Sequence, residues 1–491
     1  MEGMNKSSCD DALFEVPDDD VEPVAVKAPA GRSKTFRSYD PGQSFLMPPS
    51  LDDWLPPDHT ARFIAETVEL LDLSVVYDSY VSASGAPPYD PEMMLKMLFY
   101  GYSTGVTSSR EMEKRCHVDI AFRWLTANNT PDYRSIARFR DRHLVALDDL
   151  FTQVLVLCSE AGLVKLGRVA LDGTKLRASA SRHKAMSYSR LGPRIEHLQG
   201  EVAALLAEAE ATDRAEDEEY GVDKRGDEVP PELARRETRI AKMRAAKEAI
   251  EQDAADKAAK KAADKAEAAG GDDTVVAEAA ATAAASATPT DKAQRSFTDP
   301  ESRMMKTTDG FHYAYNAQAV VDEYSQVVVA VDVTQQAGDV GQLIPMIQAA
   351  KDSLTNAGIR DDPKTILADA GYCSEDNLQQ LTDLGVNAVV ATGKIRHNEK
   401  VPDAPRGRIP NDATQRERMA RRMRTKAGRA DYARRKAIVE PVFGQMKTRQ
   451  HAKHLRLRGL TGAKGEWTLH AICHNLRKLA NATQMGQQPS T

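Results

Sequence analysis

Cysteine, aromatic residues and long apolar runs are all scarce in this chain of 491 residues. The five cysteines (Cys9, Cys116, Cys158, Cys373 and Cys473) are odd in number, scattered and without CxxC spacing. That argues against a disulfide framework and a cysteine-bound zinc, and for a reducing, cytoplasmic setting. Aromatics make up 6% of the residues and mean hydropathy is −0.50. No apolar run approaches the roughly 18 residues that span a bilayer, so no membrane role is expected. The opening Met1-Glu2-Gly3-Met4-Asn5-Lys6 has neither a basic n-region nor an apolar h-region, so no export signal is expected either. Net charge is small as well: 66 Lys and Arg against 72 Asp and Glu leave −6. On that sum alone nothing suggests a nucleic-acid partner.

The sum conceals a partition. Between Glu201 and Thr290 there are 22 acids and 13 bases, a local net of −9. Between Lys394 and Lys478 there are 23 bases and 7 acids, a local net of +16. A basic block separated from an acidic one is the pattern of a nucleic-acid surface beside a solvated insert, although solvated helical faces give basic runs too.

Residues 1–37 are acidic, proline-bearing and aperiodic, and read as a disordered tail. Residues 38–163 read as a helical domain. Phe63, Ile64, Thr67, Val68 and Leu71 recur at helical spacing, as do Met94, Leu95, Leu98 and Phe99 after Pro91. Thr130-Pro131-Asp132 reads as an N-cap followed by proline at the first helical position. It opens a helix carrying Arg134, Arg138, Arg140 and Arg142, of which Arg138 and Arg142 are candidate DNA contacts. A plain bundle with solvated arginines fits this stretch equally.

The period changes at Gly167. Val169–Thr174 alternates as a strand, and Phe311–Val321 and Gln326–Val333 form two β-rich runs across a four-residue turn. Leu343–Leu354 is an amphipathic helix, Thr365–Ala368 a short buried strand, Ser374–Leu384 a helix, Ala388–Val390 a strand, and a basic helical region follows. The order β-ββ-α-β-α-β-α over residues 164–480 predicts an α/β sheet with a leading antiparallel hairpin, and residues 481–491 read as a tail. A composition shift marks an insertion over 185–296. Within it, Ile195, Leu198, Val202 and Leu205, then Leu233, Ile240, Met243 and Ile250, predict two antiparallel, coiled-coil-like helices joined across 213–231. The alanine-dominated stretch Ala254–Ala287 reads as a low-complexity linker or frayed helix.

Three carboxylates stand out by position. Asp172 follows Val169-Ala170-Leu171, Asp369 closes Ile366-Leu367-Ala368, and Glu440 lies among bases in Arg434-Arg435-Lys436-Ala437-Ile438-Val439-Glu440-Pro441. An unpaired carboxylate among apolar strand residues is costly to bury, and two brought together repel unless a cation sits between them. Oxygen ligands without histidine or cysteine suit Mg²⁺, or Mn²⁺ in its place, over zinc. Two such ions about 3.5–4 Å apart serve phosphodiester chemistry. Taken singly, Asp172-Gly173 could form a turn, Asp369 could cap a loop before Gly371, and Glu440 could pair with an arginine. Pro441 either kinks its helix or sits in a first turn, which leaves the aim of Glu440 open.

These residues resemble the DDE transposases of bacterial insertion sequences, in the group with an InsH-type helical N-terminal domain. The matching stretches are Ser44–Pro49, Trp54–His59, Tyr89-Asp90-Pro91 through Gly101-Tyr102, Ser108-Ser109-Arg110 and Phe139–His143. In the second half they are Leu171–Lys175, Asp369–Tyr372 and Val439–Gly444. Tyr220-Gly221 and Arg225–Glu228 look like the group's helical insertion. The resemblance implies an RNase H-like core in which Asp172, Asp369 and Glu440 are catalytic and bind two Mg²⁺ ions. It also implies DNA contact by Lys447, seven residues after Glu440, and by Tyr432 and Arg435, which stand one residue further from Glu440 than in the commonest form of the signature. The implied reaction is cleavage at the element's ends and strand transfer into target DNA, by a homo-oligomer acting at the nucleoid. Arg421, Arg422, Arg424 and Arg429, with Arg456 and Arg458, are the electrostatic candidates for phosphate contact. A metal-dependent nuclease without strand transfer, a domesticated DNA-binding descendant and a non-enzymatic helical adaptor are the alternatives. The three acids argue against the last two.

Overall fold

The computed structural model describes residues 50–80, 87–180, 185–220, 231–393 and 403–487. The expected tail at 1–37 lies outside them, as do the stretches 44–49 and 221–228.

The described chain opens with helices α1 (Leu51–Trp54), α2 (Thr60–Glu69), α3 (Ser74–Tyr77), α4 (Pro91–Thr104), α5 (Ser109–Val118), α6 (Ile120–Leu125), α7 (Tyr133–Arg142) and α8 (Ala146–Glu160). Local chemistry sets their ends. Asp90 accepts from the amides of Glu92 and Met93 ahead of Pro91, and Gly105, left-handed at φ 85°, closes α4. The start of α7 differs from the sequence expectation. Asp132, not Thr130, accepts from the amides of Arg134 and Ser135, so Pro131 precedes the cap. Aspartate is the better N-cap of the two, and it stands nearer the first apolar position, Ile136.

The sheet follows. Strand β1 (Arg168–Arg177) leads to β2 (Ala185–Ser187), then to helices α9 (Tyr188–Tyr220), α10 (Pro231–Ala268) and α11 (Asp273–Ala285). The chain returns through β3 (Gln294–Ser296), β4 (Arg303–Thr307), β5 (Gly310–Asp322) and β6 (Val328–Thr334). It ends with α12 (Leu343–Asn356), β7 (Thr365–Ala368), α13 (Glu375–Asp383), β8 (Ala388–Val390), α14 (Gln415–Arg424), α15 (Lys426–Thr448) and α16 (Gly459–Gln487). The main sheet runs β4-β5-β1-β7-β8, with β6 also on β5. β5 is antiparallel to β1, β4 and β6, whereas β1, β7 and β8 are parallel. The hairpin, the helices and the strands at 365–368 and 388–390 stand where periodicity places them. Strand β4 was not foreseen, because Arg303-Met304-Met305-Lys306-Thr307 lacks alternation and becomes a strand by pairing with the start of β5.

β2 and β3 pair antiparallel, Ala185 opposite Ser296, and bring together the two ends of the helical insert. Leu191, Ile195, Leu198, Ile240, Met243 and Ile250 form a small core of their own between α9 and α10. Two expectations need correction here. Helix α9 continues past residue 213 to Tyr220, and the alanine stretch is regular helix in α10 and α11, not a linker. Alanine has the highest helix propensity, and Asp272 caps α11 by accepting from the Val275 amide. The tail expected from residue 481 is likewise helical to Gln487, as the end of α16.

Strand alternation assigns the two sheet faces. Val169 and Leu171 line a cavity with Ile347 and Ala350 of α12. Asp172 and Thr174 therefore point the other way, toward α15, where Arg435 and Lys447 meet them. Helix α16 covers that side as well. The Trp467 indole N–H donates to the Gln318 carbonyl at 2.9 Å, and the Asn475 amide bonds both the N–H and C=O of Val328 at 2.8 Å. One continuous apolar core joins α2–α8, the sheet and α15–α16. No helix among the described residues is long and apolar enough to cross a membrane.

Candidate active site

In the parallel pair β1–β7, Leu171 lies opposite Ala368. The next residue on each chain is an aspartate, so Asp172 and Asp369 stand side by side where the β1–β7 pairing ends, at the carboxyl end of β7 and within β1. The carboxyl ends of parallel strands are the usual place for a site in an open α/β sheet. Asp172-Gly173 is not a turn, since β1 runs on to Arg177. Glycine is needed at 173 for a different reason. A Cβ there would stand 2.5 Å from Gln318 Nε2 and 2.8 Å from Asp339 Oδ1. Asp369 does cap, its Oδ1 accepting from the Gly371 amide at 2.8 Å.

Asp172 Oδ1 accepts from the Gly173 amide at 2.9 Å and Oδ2 from Arg435 Nη1 at 2.8 Å. Burial pushes the Asp172 carboxyl up from its ordinary range. Arg435 opposes that shift and the negative charge of Asp369 adds to it. Glu440 lies one and a half turns after Arg435 on α15, with Oε1 at 4.0 Å from Arg435 Nη2. Its side chain is 54% exposed, so it flanks the aspartate pair without closing on it. Among the described residues no three acid, histidine or cysteine side chains are gathered tightly enough to hold an ion. The structure thus brings Asp172 and Asp369 together and leaves Glu440 across the Arg435 guanidinium from them.

Lys447 Nζ donates to the hydroxyl of Thr174, two residues after Asp172 and on the same face of β1. Burial lowers the Lys447 pKa. Tyr432 is half-buried with its ring 6.0 Å from the Arg435 guanidinium, and burial raises its hydroxyl pKa. Pro441 is interior to α15, which excludes the first-turn position.

Two residues escaped the sequence reading. Thr174 could have been found from the strand period alone. Asp339 follows β6 in a loop without periodicity, and its Oδ1 accepts from Asn316 (2.6 Å), Lys175 (3.1 Å) and Gln318 (3.1 Å). It braces the site from the opposite face of β1. A Cβ at Gly371 would come within 3.4 Å of Asp339 Oδ2.

The basic candidates divide. Arg421 donates to the carbonyls of Pro405, Gly407 and Arg408, and Arg422 to Ala388 and Asn387, so both tie loops and the β8 edge to α14. Arg424 is half-buried along a groove with Ile409, and Arg429 pairs with Asp403 at 2.8 Å. Arg456 donates to the Thr107 hydroxyl at 3.3 Å, and Arg458 is exposed. On α7, Arg134, Arg138 and Arg142 recur every four residues on an exposed stripe, with Arg142 over the Tyr80 ring at 5.0 Å. Arg140 turns inward and donates to the Tyr102 hydroxyl at 2.8 Å.

Two family models match the chain. One is a transposase domain (DUF772), over residues 49–142. The other is a transposase DDE domain, over residues 285–476. Between them they cover more than half of the residues, the seven helices α1 to α7 falling in the first, and Asp369 and Glu440 in the second. Asp172 lies outside both matched ranges and joins Asp369 through strand pairing. Neither the curated proteins nor the solved structures returned a match.

Proposed function

Because the chain belongs to the DDE transposases of the insertion-sequence type, we propose that Asp172, Asp369 and Glu440 are its catalytic acids, acting in DNA cleavage at the element's ends and strand transfer into target DNA. The observation that carries this reading is the Asp172–Asp369 pair on adjacent parallel strands, with Arg435 reaching from Asp172 toward Glu440. The strand order supports an RNase H-like core: an antiparallel β6-β5-β1 meander continued by parallel β7 and β8.

The donor set fits a hard divalent cation. It is all carboxylate oxygen, and a cationic guanidinium already lies between two of its members. Asp172, Asp369 and Glu440 would hold Mg²⁺, or Mn²⁺ in its place, which when bound supplies Lewis acidity to the attacking and leaving oxygens of an in-line displacement. The chain's own groups do the rest. Asp172 within β1 and Asp369 at the end of β7 are each held by a backbone N–H donor, so their carboxylate oxygens are preorganised. Lys447, projecting over Thr174, offers a cation to a phosphate beside the pair. Tyr432 supplies a ring face beside the neighbouring phosphate, and Arg435, held on Asp172, supplies a fixed positive charge there. The exposed Arg138–Arg142 stripe of α7 contacts the backbone of the bound DNA. Synapsis of two element ends calls for a homo-oligomer working in the cytoplasm on the nucleoid.

The test uses supercoiled donor DNA that carries the gene with its flanking sequence, purified protein and Mg²⁺. Cleavage and joined products are expected from the wild type, and neither from Asp172→Ala or Glu440→Ala. Wild-type rates from either variant remove that residue from the site, and cleavage without joining identifies a nuclease.

A further inference from the structure

Pro441 follows Glu440 directly and has no backbone N–H, so the carbonyl of Ala437, four residues earlier, has no helical donor. That carbonyl is not left open. Gln326, in the turn between β5 and β6, donates to it from Nε2 at 3.0 Å. Gln326 is held from two further directions. Its Oε1 accepts from Lys478 Nζ at 2.9 Å, and its own carbonyl accepts from His474 Nε2 at 2.9 Å, both from α16. Its backbone is left-handed at φ 60°, a conformation unusual for a residue with a side chain. The same turn grips α15 one helical turn earlier, where Glu323 accepts from Arg434 at 2.6 Å. Two points of attachment therefore stand immediately before Glu440.

We propose that Gln326 is a positioning residue for Glu440. By supplying the donor that Pro441 removes, it sets the path of α15 at the point where the Glu440 carboxylate is aimed toward Arg435 and Asp172. A proline interior to a helix pushes the axis away from the carbonyl it cannot bond, and how far depends on what else binds that carbonyl. Here the binder is fixed to α16, so the bend is set by tertiary structure. This inference rests on the role of Glu440 proposed above.

A double-mutant cycle tests it in the full-length protein. Pro441→Ala restores an N–H to the Ala437 carbonyl and makes the Gln326 donor redundant. With Pro441 present, Gln326→Ala is expected to lower kcat for donor cleavage and to weaken Mn²⁺ binding by calorimetry, each about tenfold, with KM for DNA unchanged. Gln326→Glu, which keeps the Lys478 contact and the size but loses the donor, should reproduce the loss. In the Pro441→Ala background both effects should shrink to within roughly twofold, and thermal unfolding should show the same coupling. Equal losses in the two backgrounds, an unchanged kcat and Mn²⁺ affinity, or a change confined to KM each overturn the assignment. A wild-type protein that neither cleaves nor binds Mn²⁺ overturns the catalytic reading itself. That result is told apart because it needs no substitution.

Discussion

Arg435 Nη1 and Asp172 Oδ2 meet at 2.8 Å although 263 residues separate them in the chain, with side chains only 9% and 18% exposed. The contact joins helix α15 to the middle of β1 and puts a fixed cation beside the aspartate pair. Removing one partner of such a buried pair typically costs about 3–5 kcal/mol, because the other charge is left without compensation. Arg435→Ala is therefore expected to lower the free energy of unfolding by about 3 kcal/mol. The defect should shrink at lower pH. Burial and Asp369 push the Asp172 carboxyl up, and without Arg435 that shift grows. An acid whose folded pKa is raised takes its proton first in the folded state, so stability is regained as pH falls through that folded value. Urea unfolding of variant and wild type at pH 8 and pH 5.5 measures the difference. A gap that widens on acidification would refute it.

A second buried set locks the N-terminal helices to α16. Arg140 donates to the Tyr102 hydroxyl at 2.8 Å and to the Thr107 carbonyl at 3.1 Å, and Tyr102 donates to Glu466 at 3.2 Å. The other Glu466 oxygen accepts from the amides of Arg456 and Leu457 at 2.7 and 2.9 Å. Arg140→Leu should cost about 3 kcal/mol, seen as a drop in unfolding midpoint in urea, since it leaves Glu466 buried without its cation. A midpoint equal to that of wild type would mean that the network carries no net stability.

Arg138 and Arg142, on the same helix, face solvent and should behave in the opposite way. Replacing either with alanine is expected to leave the melting temperature in place and to reduce the slope of log K against log salt for DNA binding by about 1. Fluorescence titrations at several salt concentrations read that slope. Unchanged slopes for both variants would move the DNA surface away from α7.

Acid sensitivity follows from buried histidines. Burial pushes His143 and His474 down to about 4 and His470 down to about 3. An imidazole with a lowered folded pKa is protonated first in the unfolded chain. Its contribution to stability is whole above the unfolded value of about 6.5 and is lost as pH falls toward 4, by about 1.4 kcal/mol per pH unit per group. Asp148 and Glu466, whose carboxyls burial pushes up, pull the other way, so a single replacement isolates the effect. His470→Gln should flatten the fall in unfolding free energy between pH 6.5 and 5 by one proton's slope. The same slope in variant and wild type would show that His470 carries its proton in the folded state.

The elements that frame the candidate site are local patterns and were legible as such. Val169–Thr174 reads as an alternating strand with Asp172 within it, and Ile366-Leu367-Ala368 as an apolar strand closed by Asp369, because alternation and apolar runs belong to a few neighbouring residues. The helices after Gly338 and Ser374 were legible for the same reason, and so was the hairpin across Asp322–Ser325. The alanine stretch left linker and helix both open, because low complexity and high helix propensity look alike in composition. Only the packing of α11 against α10 separates them.

By itself the sequence determined most of the strands and helices that frame the site, though not β4, and which three acids carry the resemblance to a transposase. Tertiary structure alone decided the rest. It paired Leu171 with Ala368, which sets Asp172 beside Asp369. It turned Arg140 and Arg435 inward while leaving Arg138 outside. It also gave the carbonyl beneath Pro441 a donor from Gln326, 111 residues away. The reason is physical. Periodicity is set by bond geometry within a few residues, whereas an arginine's partner is set by strand register and by which helix covers which face. Charge and spacing along the chain carry no record of either.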